Sequence, residues 1–281
     1  MDSENPAASA LTAEESARLR KLENESIYVL REAFRLFPGL AMLWSMGKDS
    51  TLMLTLARKA FFGVIPFPVV HIDTSYKIPE MIRFRDEKAK EWALDLRIGQ
   101  NRAALTAGMN PEKGRLECCT ALKTDALKSF LREQGFRTVL AAIRRDEEGS
   151  RGKERIFSPR GEGSTWNYKE QPPEFWNGYQ TEFSETTEVR VHPLLNWSEL
   201  DVWLYTREKN IPTLGLYYAR NGQRYRSVGC APCSGTVSSK AADIDAVIRE
   251  LRTTRTGERS GRAQDKADRY AMQKLRAKGY M

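Results

Sequence analysis

Residues 40–62 constrain the fold of this chain more than any other stretch. Leu40-Ala-Met-Leu-Trp44 is an unbroken apolar run of strand length, as expected of a strand covered on both faces. Ser45-Met-Gly-Lys-Asp-Ser50 follows, and Thr51–Phe62 carries apolar residues at helical spacing. A strand that enters a helix through so short a turn aims backbone N–H groups and a helix N-terminus at one spot, which suits a phosphate. Lys48 adds a mobile positive charge there, and Ser45 and Ser50 add hydroxyl donors. The turn is not a Walker A loop, which needs four residues between its first glycine and a Gly-Lys-Ser/Thr.

The remaining pattern repeats this alternation. Phe67–Ile72 reads as a second buried strand, 79–93 and 120–134 as helices, and 138–143 and 189–193 as further strands. Thr12-Ala-Glu-Glu15 forms a capping box for a helix running to Phe34, and Ser198 caps another. Strands alternating with helices predict an α/β fold, a parallel sheet with helices on both faces. Residues 1–12 read as disordered, 13–240 as the α/β domain and 241–281 as a basic helical extension. The stretch 149–187, rich in Gly, Pro, Ser, Glu and aromatics, reads as a long active-site loop. No run approaches 18 apolar residues and the N-terminus has no apolar signal core. A cytoplasmic protein with reduced cysteines is therefore expected.

In an open parallel sheet, ligands bind at the carboxyl ends of the strands, at a switch in strand order. Three segments converge there. The first is Ser45, Met46, Gly47, Lys48, Asp49 and Ser50. The second is His71-Ile-Asp73, with Asp73 placed for a ribose or base edge and His71 read as a hydrogen-bonding rather than a catalytic group. The third is Arg144–Arg155, where five cations in twelve residues can clamp phosphate oxygens.

These segments carry a family resemblance. Ser45–Ser50 resembles the S-x-G-K-D-S pyrophosphate loop of ATP pyrophosphatases. In order with His71–Lys77, Arg144–Arg155, His192–Trp203 and Thr253–Arg262, it resembles the phosphoadenosine-phosphosulfate reductase family, and within that family the small subunits of bacterial ATP sulfurylase. The resemblance spans residue 20 to the C-terminus. It implies an adenine nucleotide α-hydrolase-like fold and Mg²⁺-dependent attack on the α-phosphate of ATP. In that chemistry Lys48, Arg144, Arg145 and Arg151 would hold phosphates, Asp49 would help position Mg²⁺, and Arg155 would join the nucleotide contacts.

The four cysteines depart from the sulfurylase pattern, which keeps one at the position of Cys230 and not the others. Cys118-Cys119 and Cys230-Ala-Pro-Cys233 resemble instead the [4Fe–4S] site of assimilatory adenylyl-sulfate reductases. Zinc, a redox-active pair and four unconnected thiols are the other readings of the set. Reduction of a sulfonucleotide is excluded, because that route needs one more cysteine near the C-terminus. The chain carries a net charge of +8, and residues 249–281 hold ten Lys/Arg against four acids, or +6. Such a tail favours nucleic acid or an acidic partner. Together these features resemble the ATP pyrophosphatase of DNA phosphorothioation systems, which works with a cysteine desulfurase and would meet DNA through the basic tail. The second expectation is a sulfurylase partnered by a GTPase large subunit. tRNA thiolation and redox-sensing nucleotide binding follow.

Overall fold

A computed structural model of the chain describes residues 10–176, 178–262 and 271–279. Helix α1 (Ala13–Leu36) opens with the predicted capping box, Thr12 and Glu15 each accepting from the other's backbone N–H. Then come β1 (Leu40–Leu43), α2 (Lys48–Ala60), β2 (Val69–Ile72) and α3 (Pro79–Glu91). These are followed by β3 (Leu96–Gly99), α4 (Arg102–Thr106), α5 (Arg115–Cys119), α6 (Ala126–Glu133), β4 (Thr138–Leu140), β5 (Phe157–Arg160) and β6 (Glu188–Val191). The six strands lie in the order β3-β2-β1-β4-β6-β5, all parallel except β5, which runs antiparallel to β6.

The chain builds β1-β2-β3 outward in one direction and β4-β6 in the other, so the switch point falls between β1 and β4. The apolar run at 40–44 serves both faces of the sheet through simple alternation. Leu40, Met42 and Trp44 join the larger core with α1, α2 and α7 (Glu199–Glu208). Ala41 and Leu43 face the other way, onto Leu127 and Leu131 of α6. Helix α8 (Ile244–Thr253) adds Val247 and Ile248 to the larger core, so the start of the C-terminal stretch is packed rather than appended.

Three differences from the sequence reading have physical causes. The segment 138–143 gives only Thr138–Leu140 to the sheet, and residues 141–143 leave it to form a wall of the cleft described below. The long loop contains β5, whose Phe157 and Arg160 are buried while Pro159 between them is only partly so; a proline there fits an edge strand. The helix expected at 120–134 begins earlier, at Arg115, and is broken by a π-turn over Thr120–Asp125. Such turns insert an extra residue and re-aim the side chains before them. A two-stranded ribbon, β7 (Gln223–Tyr225) and β8 (Thr236–Ser238), carries the Cys230–Cys233 turn between its strands. Residues 1–9 of the segment read as disordered lie outside the described residues.

Candidate active site

At the carboxyl ends of β1 and β4 the sheet opens into a polar cleft. Ser45, Gly47, Lys48, Asp49 and Ser50 line it from α2 and its loop, and residues 141–143 line it from the segment just past β4. The left-handed residue of the loop is buried Met46 (φ 61°), while Gly47 has an ordinary extended conformation as N-cap of α2. The glycine's role is thus access rather than backbone freedom: with no side chain it leaves the helix N-terminus uncovered. Ser45 and Ser50 bridge through their hydroxyls at 3.1 Å, and Lys48 N–H donates to the buried Tyr217 hydroxyl at 2.9 Å.

Cations from four other segments face the same cleft: Lys77 after β2, Lys123 in the π-turn, Arg151, and Arg259 with Arg262 near the C-terminus. Burial, followed by the charge of Lys123, lowers the Lys77 ammonium to about 8. Arg262 also donates to Ser227 Oγ and the Val228 carbonyl, which fixes the cleft's far wall. Of these residues the sequence reading selected only Arg151. Arg259 and Arg262 lie in the segment Thr253–Arg262 that carried the family resemblance, but their charge was counted with a tail expected to meet nucleic acid or an acidic partner.

Beneath the loop lies a buried ionic knot. Lys48 and Arg144, 2% and 0% exposed, both bond the carboxylate of Glu258, 5% exposed. Arg144 also holds Asp49 and, at 2.9 Å, Asp146. Burial opposes the charge of Glu258, but Arg144 and then Lys48 outweigh it and hold the carboxyl well below its ordinary range. Arg144 therefore stands behind the cleft as a counter-ion, not on its wall. Arg145 turns to Asn196 and the Glu154 carbonyl, and Arg155 to the carbonyls of Pro172 and Lys153, so neither lines the cleft. Asp49 does line it, but one oxygen meets Arg144 and the other lies 3.3 Å from Lys48. The other carboxylate on the wall, Glu147, is bonded to Arg151. With both carboxylates of the described wall paired to cations, that wall does not fit a protein-held Mg²⁺.

A small, mostly apolar hollow adjoins the cleft, lined by Leu43, Trp44, Val70, His71, Ile72 and Leu127. His71 Nδ1 lies 3.1 Å from the Trp44 carbonyl, and burial lowers the ring to about 3, so it is neutral. A neutral ring whose Nδ1–H donates to a carbonyl leaves Nε2 as an acceptor, and that atom is buried with no partner among the described residues. Asp73 accepts from Ser75 N–H at 2.8 Å and lines neither space.

The cysteines converge beside the cleft. Cys119, Cys230 and Cys233 share one buried cluster with Leu275, and Cys118 is buried next to Cys119 and Cys230. All four are free thiols, and Thr74 Oγ1 lies 3.0 Å from Cys230 Sγ. A bond with Cys119, then burial, pushes the Cys233 thiol up strongly; burial first pushes Cys118 to about 11. Among the described residues no group of three or more His, Cys, Asp or Glu is arranged for a single metal ion. The four thiols come from two places, the end of α5 and the turn between β7 and β8.

The basic tail is divided: Arg249, Arg252, Arg255, Lys274 and Lys278 are exposed, whereas Arg259, Arg262 and Arg276 are turned inward. Arg252 pairs with Glu15, Arg259 lies near Glu147, and Arg276 bonds buried Glu154. Lys266 and Arg269 lie outside the described residues. No helix among the described residues is long and apolar enough to cross a membrane.

Residues 39–236 match the phosphoadenosine phosphosulfate reductase domain. A protein of Chromohalobacter salexigens named sulfate adenylyltransferase subunit 2 1 is 40% identical, over 97% of this chain and 99% of its own length. The sulfate adenylyltransferase subunit 2 of Geotalea daltonii is 41% identical over 93% and 97% respectively. Among solved structures, yeast FAD synthetase covers 90% of this chain and 93% of its own, with a TM-score of 0.57 and 17% identity. The phosphoadenylyl-sulfate reductase of Candida auris covers 80% and 98%, with a TM-score of 0.54 and 18% identity. Those two likenesses establish the adenine nucleotide α-hydrolase-like fold. With the domain match and the near full-length relatives, they make the chain an enzyme of the phosphoadenosine phosphosulfate reductase domain family, on the branch of the sulfate adenylyltransferase subunit 2 proteins.

Proposed function

We propose that the chain transfers the adenylyl group of ATP to sulfate, forming adenylyl sulfate and pyrophosphate, together with a GTPase large subunit. The observation that carries this reading is the cationic cleft at the β1/β4 switch point, in a chain about 40% identical to sulfate adenylyltransferase subunit 2 over nearly its whole length. The sequence reading put a DNA phosphate first and sulfate second. The relatives reverse that order.

In this reading the adenine enters the apolar hollow, where His71 Nε2 accepts from the N6 amino group. The triphosphate lies along Ser45–Ser50. Lys48 and Arg151 face it from one side, Arg259 and Arg262 from the other, and Lys77 and Lys123 lie toward the cysteines. A sulfate oxygen attacks the α-phosphorus as the bond to the β-phosphate oxygen breaks. The cations offset the charge that grows on the departing pyrophosphate, so catalysis is positioning and electrostatics. Glu258 and Arg144 act from behind, fixing Lys48. The test is sulfate-dependent release of pyrophosphate from ATP by the purified chain with its large subunit and GTP. Release that needs sulfate supports the reading. ATP turnover indifferent to sulfate would overturn it.

One observation favours a second reading. Four buried thiols at the edge of the cleft suit a [4Fe–4S] cluster held by Cys118, Cys119, Cys230 and Cys233, which supplies electron transfer or sulfur handling when bound. The acceptor would then be a DNA phosphate, and a cysteine desulfurase would supply the sulfur. Iron and acid-labile sulfide measured after anaerobic purification decide it. About four of each per chain supports the second reading, and neither element returns the cysteines to plain thiols beside a sulfate site.

A further inference from the structure

The C-terminal helix, Ala271–Ala277, touches two parts of the molecule with consecutive side chains. Leu275, 1% exposed, packs into the cysteine cluster against Cys119, Cys230 and Cys233. Arg276, equally buried, points elsewhere, as neighbours about 100° apart on a helix must. Its guanidinium bonds Glu154 and lies 4.5 Å from the Trp166 ring centroid. It also comes within 3.9 Å of Glu148.

Both carboxylates belong to the arginine loop. Glu154 closes it, its N–H donating to the Arg151 carbonyl at 3.1 Å. Glu148 lies 3.5 Å from Arg151 and 3.9 Å from Arg259, two cations of the cleft wall. The helix therefore stands on the thiols with one residue and, with the next, on the counter-ions of the cleft. Past its end Gly279 (φ +91°) passes so close to Ser164 that an added Cβ would lie 2.6 Å from that carbonyl oxygen. The close approach sets the helix in one seat.

We propose that this helix is a clamp in which Arg276 is a positioning residue. By anchoring Glu154 and partly neutralising Glu148, it sets Arg151 and Arg259 for the nucleotide's phosphates, and through Leu275 it couples that setting to the cysteine cluster. The inference rests on ATP occupying the cleft and is independent of which acceptor follows. Coupling between two sites is reciprocal. Nucleotide in the cleft must then tighten the helix over the thiols, just as a seated helix tightens the cleft around nucleotide.

Two measurements on the full chain test it. The first is equilibrium binding of α,β-methylene-ATP to wild type, Arg276→Ala and Arg276→Lys. Arg276→Ala binds about tenfold more weakly, an ordinary size for coupling of this kind, and Arg276→Lys recovers part of the loss. The second is the rate at which the cysteines react with a thiol reagent, with and without the analogue. In wild type the analogue slows the reaction several-fold, and in Leu275→Ala it does not. Folded Arg276→Ala that binds as tightly as wild type overturns the clamp. So does a wild-type thiol rate that ignores the analogue, a result that stands even if Arg276→Ala fails to fold. If wild type does not bind the analogue at all, the failure belongs to the ATP reading of the cleft.

Discussion

The cleft depends on single charges whose state is set by what surrounds them. Lys77 is protonated below about 8 and neutral above, because burial and the charge of Lys123 disfavour its cation. The depressed value means that the folded chain releases this proton earlier than the unfolded one. The cleft therefore loses a positive charge as pH rises through 8. Binding of α,β-methylene-ATP should weaken by about tenfold between pH 7 and 9, the effect of one partly screened charge. Lys77→Arg, which stays charged, should flatten that profile, and an unchanged profile in the variant would remove Lys77 from the site. Glu258 was invisible in the sequence for a different reason. An isolated glutamate in a basic tail reads as a solvated charge, and nothing in its neighbourhood says that Lys48 and Arg144 need it. Glu258→Gln should leave two buried cations short of a counter-charge and cost about 3–5 kcal/mol of stability, read as a lower unfolding midpoint in urea. A change below 1 kcal/mol would mean that the knot is solvated.

Elements follow from local pattern where the core is two-faced, and fail where they are short or at an edge. The β1–loop–α2 unit was legible because a strand buried on both faces has no polar alternation and its helix carries a regular apolar stripe. Strand β3 was missed because Leu96-Arg-Ile-Gly99 alternates weakly and leaves Ile98 exposed. Strand β5 was missed because a proline inside four residues argues against a strand unless the strand is an edge. The arginine loop was located correctly as a charged segment at the end of β4, but its side chains divide in ways composition does not encode: Arg151 faces the cleft, Arg144 lies under it, and Arg145 and Arg155 point away. Around Glu154 the packing is more demanding still. Burial disfavours its charge, yet the Arg160 and Arg276 guanidiniums outweigh this and hold its carboxyl at about 2. Glu154→Gln should lower stability by about 3–5 kcal/mol through the cations left uncompensated, and should loosen residues 147–155. Hydrogen exchange confined to the wild-type rate in that loop would sink the claim.

At the scale of the molecule, both histidines are buried and neutral, lowered to about 3 chiefly by burial. Unfolded histidine titrates near 6.5, so below that pH the unfolded chain binds two protons that the folded chain refuses. The stability is whole above 6.5 and is lost as pH falls toward 3. Between pH 6 and 5 the slope attributable to the pair approaches about 2.7 kcal/mol per pH unit. Urea titrations of His192→Gln across that window should give about half the slope, and an unaltered slope would place the acid sensitivity elsewhere. The knot at Lys48 has a wider consequence. Lys48 and Glu258 are 210 residues apart, and Arg144 and Glu258 are 114 apart. Contacts that close such long stretches of chain form late, after the costs of loop closure have been met. The loop Ser45–Ser50 can fold early with its strand and helix, but Lys48 is not fixed until the other end of the chain arrives. Nucleotide binding is thus a report that folding has finished, and a ligand that binds only the finished state will draw slow-folding molecules toward it by mass action.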